Sequence, residues 1–208
     1  RYVYLRDAES GAYWSAMWQP VTGMALDAYE CRHGAGYTRI QAEYAGIASD
    51  MLYFVPPDQG DMAPCELWVL RIRNMSDRPR RIATCSYAEW SYWDALTDQQ
   101  NLDWAQQIMR SHCARGESYV AGGVIFRPTR SFLGCSQPFD GFETDREAFI
   151  GRGRSLANPV MVERGQPTNG LAPRGNNIAA LWHERTLAPG EEQTLVYMLG
   201  VTEDEGGI

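Results

Sequence analysis

Thr38-Arg39-Ile40-Gln41-Ala42-Glu43-Tyr44 sets apolar or small residues against charged and amide residues at every second position. Side chains alternate across a pleated strand, so this period predicts a half-buried β-strand with Thr38, Ile40, Ala42 and Tyr44 on one face. Ala45-Gly46 turns the chain, and Ile47 to Val55 returns as a β-rich run ended by Pro56-Pro57. After an acidic loop, Trp68, Leu70 and Ile72 alternate with Val69, Arg71 and Arg73, and Asn74-Met75-Ser76-Asp77 reads as a turn. Arg81 to Trp93 predicts a long strand with Ile82, Thr84, Ser86, Ala88, Trp90 and Tyr92 on one face. Further strands are expected at Ser118 to Phe126, Arg130 to Leu133, Ile178 to His183 and Gln193 to Gly200, with a turn at Leu187 to Glu191. Thr144 and Glu147 have the spacing of a capping box, which predicts a helix over Asp145 to Ile150, stopped by Gly151. This rhythm of strand, turn and strand is not βαβ. It predicts an all-β chain, a large antiparallel sandwich with one or two short helices.

Composition agrees with one large domain over residues 1–208: 44% of the residues are hydrophobic, 22% charged and 12% aromatic. The formal charge of −7 argues against a nucleic-acid partner, and no apolar run approaches the roughly 20 residues of a membrane helix. The cysteines, Cys31, Cys65, Cys85, Cys113 and Cys135, are odd in number and lack metal-ligand spacing, so a reduced, cytoplasmic setting is expected and no metal is assigned. The chain opens at Arg1 and stops in a Gly pair near Ile208, and is read as a piece of a longer polypeptide.

The chemistry-bearing residue types are scattered. Glu30, Glu43, Glu66, Glu89, Asp94 and Asp103 are candidate carboxylates for glycosidic chemistry, but spacing singles out none. His33, between glycines, reads as a loop brace or a general base, while His112 and His183 are isolated. No serine sits in a nucleophile elbow, and Gly122-Gly123 lacks the lysine and hydroxyl of a phosphate loop. The distinctive stretch is Trp90 to Gln107, where aromatics are mixed with Asn101, Asp103, Gln106 and Gln107. An aromatic face can stack on the apolar face of a sugar ring while amides and carboxylates bond its hydroxyls. Trp90 and Tyr92 also fit the core of the long strand. Trp104 lies beyond it, beside turn-like Thr97-Asp98, where a ligand role and a plain loop role stand level.

Several blocks occur together in order: Tyr4-Leu5-Arg6-Asp7, Tyr13-Trp14-Ser15, Tyr29-Glu30-Cys31-Arg32-His33-Gly34 with Gly36-Tyr37-Thr38, Tyr53-Phe54-Val55-Pro56, Ser86-Tyr87 with Glu89, and Phe149-Ile150-Gly151-Arg152. This pattern resembles the N-terminal domain of the inverting β-glycoside phosphorylases, the cellobiose, cellodextrin and chitobiose phosphorylases of glycoside hydrolase family 94. The resemblance implies a mutarotase-like supersandwich followed by a helical linker and an (α/α)6 catalytic barrel in the same polypeptide. It implies cleavage of cellobiose or a cellodextrin, with inorganic phosphate as co-substrate and no cofactor, giving α-glucose 1-phosphate in a homodimeric enzyme. The catalytic aspartate belongs to the barrel, so no catalytic residue is assigned here. An Asn-aromatic-Gln-Arg motif that holds the acceptor sugar in such enzymes falls at Asn101-Leu102-Asp103-Trp104, where only Asn101 agrees. Asn101, Asp103, Trp104 and Gln107 are therefore the expected substrate-binding residues of a loop over Asp98 to Gln107. Competing expectations are a cyclic β-1,2-glucan synthase or oligoglucan phosphorylase domain, and a free-standing carbohydrate-binding module.

Overall fold

The computed structural model describes residues 1–58, 64–90, 95–125 and 128–203. In chain order the elements are β1 (Tyr2–Asp7), β2 (Tyr13–Ser15), β3 (Ala28–Gly34), β4 (Tyr37–Tyr44), β5 (Ile47–Phe54), β6 (Cys65–Asn74) and β7 (Arg80–Glu89). Two helices, α1 (Ala95–Gln100) and α2 (Leu102–Ile108), precede β8 (Met109–Ala114), a 3-10 turn, β9 (Tyr119–Val124), β10 (Arg130–Cys135) and β11 (Gly141–Asp145). Then come α3 (Arg146–Ile150), α4 (Val160–Arg164), β12 (Asn177–Leu187) and β13 (Glu192–Thr202).

The strands form a five-stranded sheet in the order β11-β12-β7-β1-β2 and an eight-stranded sheet in the order β3-β4-β5-β6-β13-β10-β9-β8. The predicted antiparallel sandwich is the fold observed. Alternation sets which face is inward: on β5, Ile47, Ser49, Met51 and Tyr53 are buried while Ala48, Asp50, Leu52 and Phe54 are half-buried. The main core lies between the sheets, with Leu5, Trp14, Ile82 and Leu181 of the small sheet meeting Met51, Trp68, Leu70 and Tyr197 of the large one.

The small sheet is also covered on its outer side. Tyr4, Cys85, Tyr87, Ile178 and Trp182 pack there against Phe149, Ile150, Met161 and Val162 of α3 and α4. This second layer explains why β7 and β12 read as long buried runs rather than alternating ones.

Helices are more numerous than the one or two expected. The capping box also shifts by one residue: Asp145, not Thr144, caps α3, its Oδ1 accepting from Glu147 N at 2.8 Å and Ala148 N at 3.4 Å. Thr144 is unavailable because it lies inside β11, at the register shift between Glu143 and Asp145, with its Oγ1 donating to Gly170 O and accepting from Ala172 N. Gly151 does stop α3, at φ 88°. The long strand ends at Glu89, with Trp90 buried just beyond it, while Tyr92 and Trp93 lie outside the described residues, as does Phe126. The Gly122-Gly123 pair serves packing: a Cβ at Gly122 would stand 2.6 Å from the Trp90 indole nitrogen.

Candidate functional site

Segment 95–108 is helical, not the loop expected. Its alanines, leucines and glutamines favour the helix, and the turn-like Thr97-Asp98 are absorbed into α1. Asn101 separates the two helices at φ −129° and ψ 43° without capping α2 through its side chain. Asp103 sits in the first turn of α2, where its charge suits the helix dipole. Asp103 and Gln107 are four apart and Trp104 and Gln107 three apart, so the helix gathers these three on one face. All three are exposed, as is Asn101, and Trp104 is 44% exposed. The helix thus brings together three of the four expected residues, with Asn101 at its start.

Several contacts fasten α2 to the sandwich. Ile108 and Met109 are buried beneath it, and Ile125 N donates to Ile108 O at 2.9 Å. Gln106 Nε2 donates to Asn176 Oδ1 at 2.9 Å, and Gly175 N to Gln106 O at 2.6 Å. Asn176 O in turn accepts from Arg146 N at 3.0 Å. Arg146 Nε reaches Glu89 Oε1 at 2.7 Å, the oxygen that also accepts the Tyr87 hydroxyl at 2.5 Å. A line of polar contacts therefore joins the end of β7 to α2 through α3 and the start of β12. Burial opposes ionisation of Glu89, but the bonds from Tyr87 and Arg146, with the Arg146 charge, hold its carboxyl below the usual range. Sequence reasoning missed Arg146 and Asn176, since only the fold brings them beside α2.

Several of the remaining candidates have structural partners. His33 Nδ1 lies 3.0 Å from Thr38 Oγ1, the bracing role weighed for it, and Glu30 pairs with Arg32. Glu66 accepts from the Trp68 indole and pairs with Arg1, while Asp94 lies outside the described residues. His183 is buried, its Nε2 3.3 Å from Gln137 O, and desolvation pushes its pKa down to about 4. Glu143, fully buried, accepts from Thr144 N, Asp145 N and the Thr168 hydroxyl. Among the described residues, no group of three or more His, Cys, Asp or Glu could hold a metal ion. The α2 rim offers an aromatic face, a carboxylate and amides on one side of a helix. Groups of these kinds can contact a sugar's ring face and hydroxyls.

Comparison with known proteins gives this arrangement its family. The chain is 35% identical over 211 residues to an N,N'-diacetylchitobiose phosphorylase of Vibrio furnissii, a match covering 99% of the chain and 26% of that protein. It is 34% identical over 207 residues to a solabiose phosphorylase of Paenibacillus borealis, covering 98% of the chain and again 26% of the relative. The chain thus spans about a quarter of the length of the curated relatives it matches. Among solved structures, a polysaccharide lyase superposes with a TM-score of 0.52 at 16% identity, over 99% of this chain and 26% of that one, a likeness of fold alone. Residues 1–208 match the supersandwich domain of glycosyl hydrolase 94, and the chain belongs to that family.

Proposed function

We propose that this chain is the non-catalytic sandwich domain of an inverting phosphorylase. The enzyme splits a β-linked glucoside, cellobiose or a cellodextrin, with inorganic phosphate to give α-glucose 1-phosphate. Family membership and the phosphorylase names of the relatives support this reading, and those names add N,N'-diacetylchitobiose and solabiose to the substrates worth testing. Phosphate attacks the anomeric carbon while one carboxylic acid protonates the leaving oxygen, so the protein needs a single acid. That acid is assigned to a helical barrel of the same polypeptide. This domain contributes acceptor contacts only, and no cofactor takes part.

The observation that carries the proposal is the exposed Asp103-Trp104-Gln107 face of α2, tied to the sandwich through Gln106 and Asn176. A rigid sheet behind a short helix holds such a face in place. The same reading makes the enzyme a cytoplasmic homodimer. No disulfide joins Cys31, Cys65, Cys85, Cys113 and Cys135, which suits a reducing compartment.

The test is to incubate the full-length polypeptide with a panel of β-linked disaccharides and phosphate, measuring sugar 1-phosphate, and to repeat it with residues 1–208 alone. Phosphate-dependent sugar 1-phosphate from the full-length protein only is expected. Release of free sugar without phosphate consumption, or turnover by the isolated chain, overturns the assignment.

A further inference from the structure

The face of the larger sheet that is turned away from the core carries its own pattern. Register across β3, β4, β5 and β6 sets Arg32, Arg39, Leu52 and Val69 in one row. Asp50 and Arg71 pair in the row to one side of it, and Tyr37 and Phe54 in the row to the other. Because the pleat alternates, the side chains of these rows share one face, opposite to the buried Ile40 and Met51. They border an open groove of about 650 Å³ whose floor is the half-buried Leu52, Phe54 and Val69. That volume suits a small ligand.

Charge is unevenly spread along the groove. Among the described lining residues, the guanidiniums of Arg32, Arg39 and Arg71 face the single carboxylate of Asp50, in a chain whose formal charge is −7. That carboxylate is already engaged, its Oδ1 accepting from Arg39 Nε at 2.8 Å and its Oδ2 from Arg39 Nη2. Arg32 pairs with Glu30, which stands outside the lining. Arg71 is directly opposite Asp50 in register, yet it has no ion-pair or hydrogen-bond partner among the described residues. A guanidinium presents a planar fork of donors that matches phosphate oxygens, and a phosphate ester carries about −1.5 to −2 charges at neutral pH. This end of the groove therefore complements a phosphate ester.

The other end supplies an aromatic ring. Tyr37 reaches over Gly34, where a Cβ would collide with Cε1 and Cζ of the tyrosine, and it remains 45% exposed. An exposed tyrosine can stack on the C–H face of a sugar. Tyr37 and Arg39 are two residues apart on β4, about 7 Å along the strand, so a hexose against Tyr37 brings a phosphate on its ring or its exocyclic carbon within reach of the guanidiniums.

We propose that this groove binds a hexose phosphate, its phosphate held by Arg71 and Arg39 and its ring set against Tyr37 above the apolar floor. The inference rests on this face of the sheet and needs neither turnover nor the phosphorylase assignment.

The probe is glucose 6-phosphate, titrated calorimetrically into the full-length polypeptide at neutral pH and low salt, with glucose, inorganic phosphate and glucuronate as comparisons. Glucose 6-phosphate should bind about tenfold tighter than any of the three, since it alone joins a ring to a phosphate dianion. Arg71→Gln and Tyr37→Ala should each raise its Kd about tenfold. Asp50→Asn removes the competing carboxylate and should lower the Kd, a gain that misfolding cannot imitate. Absence of binding overturns the proposal, as does binding indifferent to both Arg71→Gln and Tyr37→Ala, or weakened by Asp50→Asn. Equal affinity for glucuronate overturns it as well, because the groove would then select a carboxylate sugar.

Discussion

Arg146 Nε lies 2.7 Å from the Glu89 oxygen that also accepts the Tyr87 hydroxyl, so one carboxylate ties the end of β7 to the first turn of α3. The Glu89 and Arg146 side chains are 46% and 39% exposed, so water screens the pair and its contribution stays at about 1 kcal/mol or less. Because the folded carboxyl is held low, that stability is present above the unfolded value of about 4.3 and is lost as pH falls through the folded one. Glu89→Gln in the chain of residues 1–208 is therefore expected to be slightly destabilised at neutral pH. The gap to wild type should close below about pH 4, and urea unfolding at stepped pH measures it.

Trp104→Ala and Asp103→Ala address the α2 face. Each should lower kcat/KM for the acceptor sugar in the synthetic direction by roughly tenfold to a hundredfold, or about 1 to 3 kcal/mol for a lost stack or charged hydrogen bond. Donor kinetics should hardly move. Full-length variants assayed with acceptor and donor varied separately decide the matter, and unchanged acceptor constants in both would make α2 purely structural.

His183 predicts a pH-dependent stability of its own. Burial holds the folded imidazole neutral down to about pH 4, whereas the unfolded one takes up a proton near 6.5. Stability from this group is thus full above about 6.5 and lost as pH falls towards 4, amounting to about 3 kcal/mol. Between about pH 7 and pH 4, wild type should lose that much more stability than His183→Gln. Parallel denaturation curves for the two proteins would contradict it.

At the opposite end of the sandwich, Arg80 Nη2 meets Asp7 Oδ2 at 2.8 Å with both side chains buried, and Arg80 Nη1 donates to Ala45 O at 2.9 Å. Asp7→Ala leaves a buried guanidinium without its carboxylate and should cost about 3 to 5 kcal/mol. Asp7→Leu with Arg80→Met should cost less than the single change, because the uncompensated charge is gone. Equilibrium unfolding of both variants tests the difference.

How much could be read in advance depended on what each strand faces. Ile40 and Ala42 of β4 look inward while Arg39, Gln41 and Glu43 do not, so the period of two stands out. β3 is exposed throughout and has no such contrast; pairing with β4 alone makes it a strand. β1 is hidden for the opposite reason, Val3, Tyr4 and Leu5 being buried together between two apolar layers. Along α1 and α2 the turn-like Thr97, Asp98 and Asn101 masked good helix formers, so Asp103, Trp104 and Gln107 were named as site candidates without their shared helical face being visible. The contacts that hold that face, Gln106 to Asn176 and Arg146 to Glu89, span 70 and 57 positions and have no local signature.

The apolar layers on both sides of the small sheet imply a gradient of opening across the molecule. Amides of β1, β7 and β12 can reach solvent only when both layers separate, so their hydrogen exchange should report global unfolding. The exposed α2 lacks such cover and should exchange through local opening, at far lower free energy. If α2 holds the acceptor as proposed, it would be able to adjust to different acceptors while the scaffold behind it stays closed.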